Sequence, residues 1–204
     1  GFHQINNYSK KYLLKESNLF FDWYLPLFIS KNKALNIKKK SNKILSKLYN
    51  KLNSSDNCFV HRDYHIQNLL NVNKKVGLID SQDALIGNPA YDLVSIIDDV
   101  RIKTSIQLKK KIYTYYIKKK FSKNQGDLNK FFEDFNILSV QRNLKIIGIF
   151  SRLFIRDQKK QYLKLLPYTW ELLERRMNNK NFFLLKKILK ENIPKSIRKK
   201  IIKK

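Results

Sequence analysis

Apolar residues recur at helical spacing over most of the chain and alternate at strand spacing over one short tract only. Residues 8–30 set Leu13, Leu14, Leu19, Phe20, Trp23 and Leu27 on one apolar face, with Pro26 as a break, since proline has no N–H to donate and crowds the preceding turn. Residues 37–53 place Ile44, Leu45 and Leu48 at helical intervals before "SSDN" signals a turn. "CFV" at 58–60 is a short β-prone run. "NLLNVNKKVGLID" predicts a hairpin, with one strand from Asn68 to Val72, a turn around Asn73 and Lys74, and a return strand from Val76 to Asp80. "PAYDLVSIIDDVR" opens a helix with Pro89 near its first turn, and Asp98 and Asp99 are expected there as solvated helix charges.

Beyond residue 104 the pattern is helical throughout. Ile106, Leu108, Ile112, Tyr115 and Tyr116 mark one helix, and the next begins behind Asp127 as its cap. "LKIIGIFSRLF" is apolar nearly all round, which predicts a buried central helix. Pro167 starts a helix through "YTWELLERRM", and a basic helix covers 181–191. The tail "PKSIRKKIIKK", residues 194–204, has no core to join and is expected to fray. The predicted fold class is α+β, mostly α-helical, with one lobe over 1–193 and one small β-hairpin, and without internal repeats or linkers.

Composition changes this picture in three places. Hydrophobic residues make up 43% and aromatics 13%, enough for a real core, so global disorder is excluded. The lone cysteine, Cys58, excludes an internal disulfide framework, suits a reducing compartment, and beside an apolar strand is expected in the core. The most apolar early run, "LFFDWYLPLFI", is short and holds Asp22, so no membrane span is predicted and the expected location is the cytoplasm.

Charge changes the picture further. Lys and Arg number 43 against 16 Asp and Glu, a formal charge of +27. The lysines are spread over many segments, and Asn and Ile are also heavily used, so compositional bias accounts for them and no specific nucleic-acid partner is expected. A basic module that binds nucleic acid or an anionic surface through the lysine-rich helices and "SIRKKIIKK" stays as an alternative function. Against this background, residues 59–99 hold six acids (Asp63, Asp80, Asp83, Asp92, Asp98, Asp99) and only three bases (Arg62, Lys74, Lys75). Gathering carboxylates is costly unless a cation neutralises them.

The spacing inside the island suggests which cation. In "HRDYHIQN", residues 61–68, Asp63 and Asn68 lie five apart, and the predicted hairpin folds Asp80 back beside Asn68. One carboxylate base, one amide oxygen and a second carboxylate would then converge. Phosphoryl transfer from ATP needs such a kit: hard oxygen ligands for Mg²⁺ and a base at the accepting hydroxyl. The same eight residues match H-R-D-x-x-x-x-N, the catalytic loop of kinases, at all four specified positions. A protein kinase would follow with D-F-G and, after an activation segment, A-P-E; here "IDSQDALIGNPAYD" leaves only twelve residues from Asp80 to Asp92.

This compact arrangement resembles the aminoglycoside phosphotransferase family, protein-kinase-like enzymes that phosphorylate small hydroxylated metabolites. "HRDYHIQNLL", "GLIDSQDALIG", "YDLVSIIDD", "VQRNLKIIGIFSRL" and "RDQKKQYL" are closest to its anomeric kinases of the cell-wall amino sugars N-acetylmuramate and N-acetylglucosamine, although Ser81 replaces the aromatic residue expected there. The resemblance implies an ATP- and Mg²⁺-dependent phosphotransferase with a sugar as substrate. Within it Asp63 would be the catalytic base and Asn68 and Asp80 the metal ligands, in a catalytic loop at 61–68 and a metal-binding segment at 78–92. His61 and Asp92 would support the loop. His65 would pack in it or meet substrate, Asp83 would touch substrate or cap the next turn, and Arg142 would meet a sugar carboxylate or phosphate or sit as an ordinary helix charge.

The family also has an N-terminal β-rich nucleotide-binding lobe. The five glycines here (Gly1, Gly77, Gly87, Gly126, Gly148) are too scattered for a phosphate loop, and the residues before His61 read as helical. The expectation is therefore the C-terminal lobe alone: a truncated or inactive fragment, a piece of a longer enzyme, or a chain served by a separately encoded N-terminal lobe.

Overall fold

The structure is a computed structural model that describes residues 5–55, 57–121 and 128–198. The cap expected at Asp127 and the tail beyond 198 lie outside the described residues. Helix α1 (Lys10–Leu19) continues as a π turn (Phe20–Tyr24) and a 3-10 turn (Leu25–Leu27), and is followed by α2 (Lys31–Tyr49). Strand β1 (Cys58–Val60), a 3-10 turn (Ile66–Asn68), and strands β2 (Leu69–Val72), β3 (Lys75–Leu78) and β4 (Leu85–Gly87) come next. The remainder is helical: α3 (Ala90–Ile97), α4 (Ile106–Lys120), α5 (Leu128–Asp157), α6 (Leu166–Arg176), α7 (Phe183–Asn192) and α8 (Lys195–Arg198). The chain divides into two compact units, the first comprising Gly1–Ser9 and Leu52–Leu138, the second Lys10–Lys51 and Ser139–Lys204.

The second unit is held by an aromatic knot. Phe20, Phe21, Tyr24 and Trp170 are buried, with the Trp170 ring 5.6 Å from the rings of both Phe20 and Tyr24. Phe20, Phe21 and Tyr24 all turn inward from the π turn. Burial pushes the Tyr24 hydroxyl above the usual phenol range. Beside the knot, Glu16 is buried but paired, with Lys145 Nζ at 3.0 Å and an amide N–H donated by Gln141 at 3.0 Å. The start of the expected tail is folded here: Arg198 donates to the Ile193 carbonyl at 2.8 Å, pairs with Glu174 and lies over the Trp170 ring.

The first unit contains two antiparallel strand pairs, one more than the pattern predicts. β1 pairs with β4 in the register Val60↔Leu85, and residues 6–8 join β4 through Tyr8 N–H to Ile86 O at 2.7 Å and Ile86 N–H to Asn6 O at 2.9 Å. β2 pairs with β3 from Leu69↔Leu78 to Val72↔Lys75, which is the predicted hairpin with its strand ends trimmed. Asn73 and Lys74 both have positive φ, 50° and 63°, as a two-residue type I′ turn requires. Lysine bears a Cβ penalty there that glycine avoids. Lys74→Gly is expected to stabilise the chain by about 0.5–1 kcal/mol in a denaturant titration, an upward shift in midpoint at unchanged slope.

Three expectations are corrected here. Cys58 is exposed, because only Val60 of β1 turns toward the core. The helix expected from Ile106 onward is α4, though its apolar positions do not mark the buried face: Lys109 is buried, while Ile106, Leu108 and Tyr115 are exposed. The reason lies in the third correction: Asp98 and Asp99 are buried, 1% and 3% exposed, rather than solvated. A buried carboxylate needs a cation, and Lys109 turns inward to supply it, 3.6 Å from Asp98 Oδ1 and donating to Ile97 O.

Candidate active site

All the acids of the island lie in the first unit, and the hairpin brings the backbones of two of the singled-out residues close together. Register Leu69↔Leu78 puts Asn68 opposite Ile79, whose N–H donates to the Asn68 carbonyl at 3.2 Å. Asp80 is therefore the next residue past Asn68 at the open end of the hairpin. It has positive φ, 63°, and an exposed side chain. A non-glycine residue in that region is held by its surroundings, and such strain concentrates at functional sites. His61 is buried, and its ring Nε2 is 2.9 Å from the Ile79 carbonyl, tying the loop to the strand end that carries Asp80.

Between His61 and Asn68 the loop is held mainly by backbone donors. Asp92, in the first turn of α3, accepts the His61 N–H at 2.7 Å and the Arg62 N–H at 3.0 Å. Arg62 has a φ of 72°, a second strained position, and its guanidinium donates to the Asp83 carbonyl at 2.6 Å and lies over the Tyr8 ring. Asp83 thus contributes its main chain to the loop, while its side chain is exposed. The Asp63 carbonyl accepts both the His65 N–H at 2.9 Å and the Asn68 amide N–H at 3.0 Å. With its Nδ2 so fixed, Asn68 keeps Oδ1 as its remaining side-chain acceptor. Asp63 itself is half-buried, and its carboxylate has no hydrogen bond or ion pair with any described residue. His65 is buried and its carbonyl accepts the Asn68 N–H at 2.9 Å. Arg142 belongs to the second unit, where it is buried on α5.

The donor set suits one kind of metal. Among the described residues no three His, Cys, Asp or Glu side chains cluster closely enough to hold a metal ion. One carboxylate and one amide oxygen at a hairpin mouth fit a small hard cation that keeps waters and takes phosphate oxygens, as Mg²⁺ does.

Sequence reasoning missed two supporting elements. Asp134 is buried and accepts the Asn53 N–H at 3.1 Å, the Asn88 amide at 2.6 Å and Lys130 at 2.6 Å, while Asn88 Oδ1 accepts the Ala90 N–H at 2.9 Å. This network fixes the turn that feeds Asp92 into α3. The other is Asp99, which accepts the Ile66 N–H at 3.0 Å. Its signal was available, since it stands seven residues, two helical turns, after Asp92.

The model of the phosphotransferase enzyme family matches residues 5–122, more than half of the chain. The chain belongs to that family. Within this phosphotransferase family it is similar to proteins named N-acetylmuramate/N-acetylglucosamine kinase. That of Pseudomonas aeruginosa is 32% identical over 172 residues, covering 82% of this chain and 50% of the relative. That of Neisseria meningitidis is 29% identical over 163 residues, covering 78% and 49%. A third, from Caulobacter vibrioides, is 31% identical over 121 residues. This phosphotransferase-family chain spans about half the length of the first two. Among its described residues no helix is long and apolar enough to cross a membrane.

Proposed function

We propose that the chain carries the catalytic and metal-binding half of a kinase that moves the γ-phosphate of ATP to a hydroxyl of a cell-wall amino sugar, N-acetylmuramate or N-acetylglucosamine, in the cytoplasm. The observation that carries this reading is the hairpin mouth. Its register brings the backbones of Asn68 and Asp80 close together at the end of a loop in which the Asp63 carboxylate has no hydrogen bond or ion pair with a described residue, and this supports the assignment. The sugar rests on the names of the relatives, which match over most of this chain.

Asn68 Oδ1 and the Asp80 carboxylate would hold Mg²⁺, which when bound supplies charge neutralisation at the transferring phosphate. Asp63 accepts the proton of the attacking sugar hydroxyl as its oxygen bonds to the γ-phosphorus. The bond from that phosphorus to the bridging oxygen breaks, and ADP leaves. His61 fixes the strand end behind Asp80, and Asp92 holds the loop's strained backbone, so neither enters the chemistry. Asp83 serves the loop through its carbonyl. The segment of the relatives that this chain does not match would cover the nucleotide, supplied in the same polypeptide or as a separate partner.

The test is transfer of label from Mg-[γ-³²P]ATP to either sugar, with the 204-residue chain alone and with the N-terminal half of the Pseudomonas aeruginosa relative added. Labelled sugar phosphate in either arm supports the reading. Label released only as inorganic phosphate, or no turnover in both arms, overturns it.

A further inference from the structure

Helix α3 reaches the catalytic loop twice. Asp92, in its first turn, takes the two N–H groups at the loop's start, at His61 and Arg62. Asp99, just past its end, takes the N–H of Ile66 at 3.0 Å through Oδ2. Ile66 opens the 3-10 turn Ile66–Asn68, whose preceding residue, His65, offers it no side-chain cap. The first N–H groups of such a turn have no partner within it, so an outside acceptor decides how firmly it is held. Asp99 is built for this task. It is 3% exposed, and its second oxygen, Oδ1, accepts the Arg101 N–H at 3.0 Å with the Arg101 guanidinium 3.6 Å away. The carboxylate is thereby fixed from behind and presents Oδ2 to the Ile66 N–H. The neighbouring cation, Lys109, is engaged by Asp98 and the Ile97 carbonyl.

We infer that Asp99 is a positioning residue. It anchors the metal-side turn of the loop as Asp92 anchors the base-side start, and so sets the orientation of Asn68, two residues beyond Ile66. The two carboxylates make α3 a two-point clamp with Asp63 suspended between its points. The link from Asn68 to a metal rests on the function proposed above; the clamp itself does not.

The experiment uses the ¹⁵N-labelled 204-residue chain and its Asp99→Asn, Asp99→Ala and Asp92→Asn variants. Amide exchange is followed at His61, Arg62 and Ile66, and Mn²⁺ is titrated as a paramagnetic probe of the Asn68 side-chain amide. In Asp99→Ala, exchange at Ile66 is expected to accelerate at least ~10-fold, about 1.4 kcal/mol, while His61 and Arg62 stay within ~2-fold. Asp92→Asn gives the opposite pattern. Asp99→Asn, which keeps one acceptor oxygen, falls between wild type and Asp99→Ala, and a tenfold weaker Mn²⁺ response accompanies the alanine change. Unchanged exchange at Ile66, or equal acceleration at all three amides, overturns the clamp by showing no local hold or mere global loosening. A wild-type chain whose Asn68 amide ignores Mn²⁺ while Ile66 responds as described counts against the metal reading and leaves the clamp standing.

Discussion

Gly148→Ala is expected to destabilise the second unit by about 3 kcal/mol or more, a loss of roughly 6–12 °C in melting temperature for a chain of this size. In the interior of an exposed helix the same change would stabilise by about 1 kcal/mol, because alanine is the better helix former. Here a Cβ at 148 would lie 2.2 Å from the Leu19 carbonyl carbon and 2.5 Å from the Phe20 N. Those are backbone atoms at the junction of α1 and the π turn, so no flexible side chain can yield to make room. Relief would have to shift α1 against α5, and from that same junction Phe20 meets the Trp170 ring edge-on and Tyr24 meets it tilted. A melt followed by circular dichroism decides it. A variant melting at or above wild type would show that α1 and α5 have room to separate.

That close approach explains why the π turn was not legible. Periodicity reports which residues are apolar, and over 8–30 it located the buried face through Leu13 and Phe20 while giving no sign of a change in helix type before Pro26. Whether a helix widens by a residue depends on what presses against it. The pressure comes from a glycine 128 positions downstream of Phe20 and from Trp170 beyond that. The hairpin is the contrary case. Its two-residue turn and alternating strands are local chemistry, and Asn73 and Lys74 sit where the pattern set them. β4 was missed because "LIG" is too short to alternate; it becomes a strand only through partners at 58–60 and 6–8.

The same division applies to the candidate site. Asp63, Asn68 and Asp80 could be singled out because their spacing and the hairpin are local, and the register does bring the backbones of Asn68 and Asp80 close together. Asp98 and Asp99 were misjudged because burial of a charge is decided by distant groups, here Lys109 for one and the Ile66 N–H for the other. Two adjacent acids at a helix end in so basic a chain read as solvated by default. The structure shows instead that the acidic island does two jobs. Asp80 and Asp63 remain open at the loop, Asp92 and Asp99 hold its backbone, and Asp98 is paired with Lys109.

This partition yields the sharpest prediction about function. Asp63→Asn is expected to lower sugar phosphorylation by roughly 10² to 10⁴-fold, equivalent to about 2.7–5.5 kcal/mol at the transition state. Stability should stay within about 0.5 kcal/mol of wild type. The two halves of the prediction come from different atoms of one residue. The loop is braced through the Asp63 carbonyl, which accepts from His65 and Asn68 and is retained in the variant. The carboxylate is half-buried, engages no described residue, and is what asparagine removes as a proton acceptor. Because the amide is nearly the same size, a loss of rate cannot be blamed on collapse of the loop. Turnover of the labelled sugar and a thermal melt on the same preparation separate the outcomes. A large loss of rate with an unchanged melt assigns the proton transfer to Asp63. A loss of both would recast its side chain as structural, and full retention of rate would remove it from the chemistry.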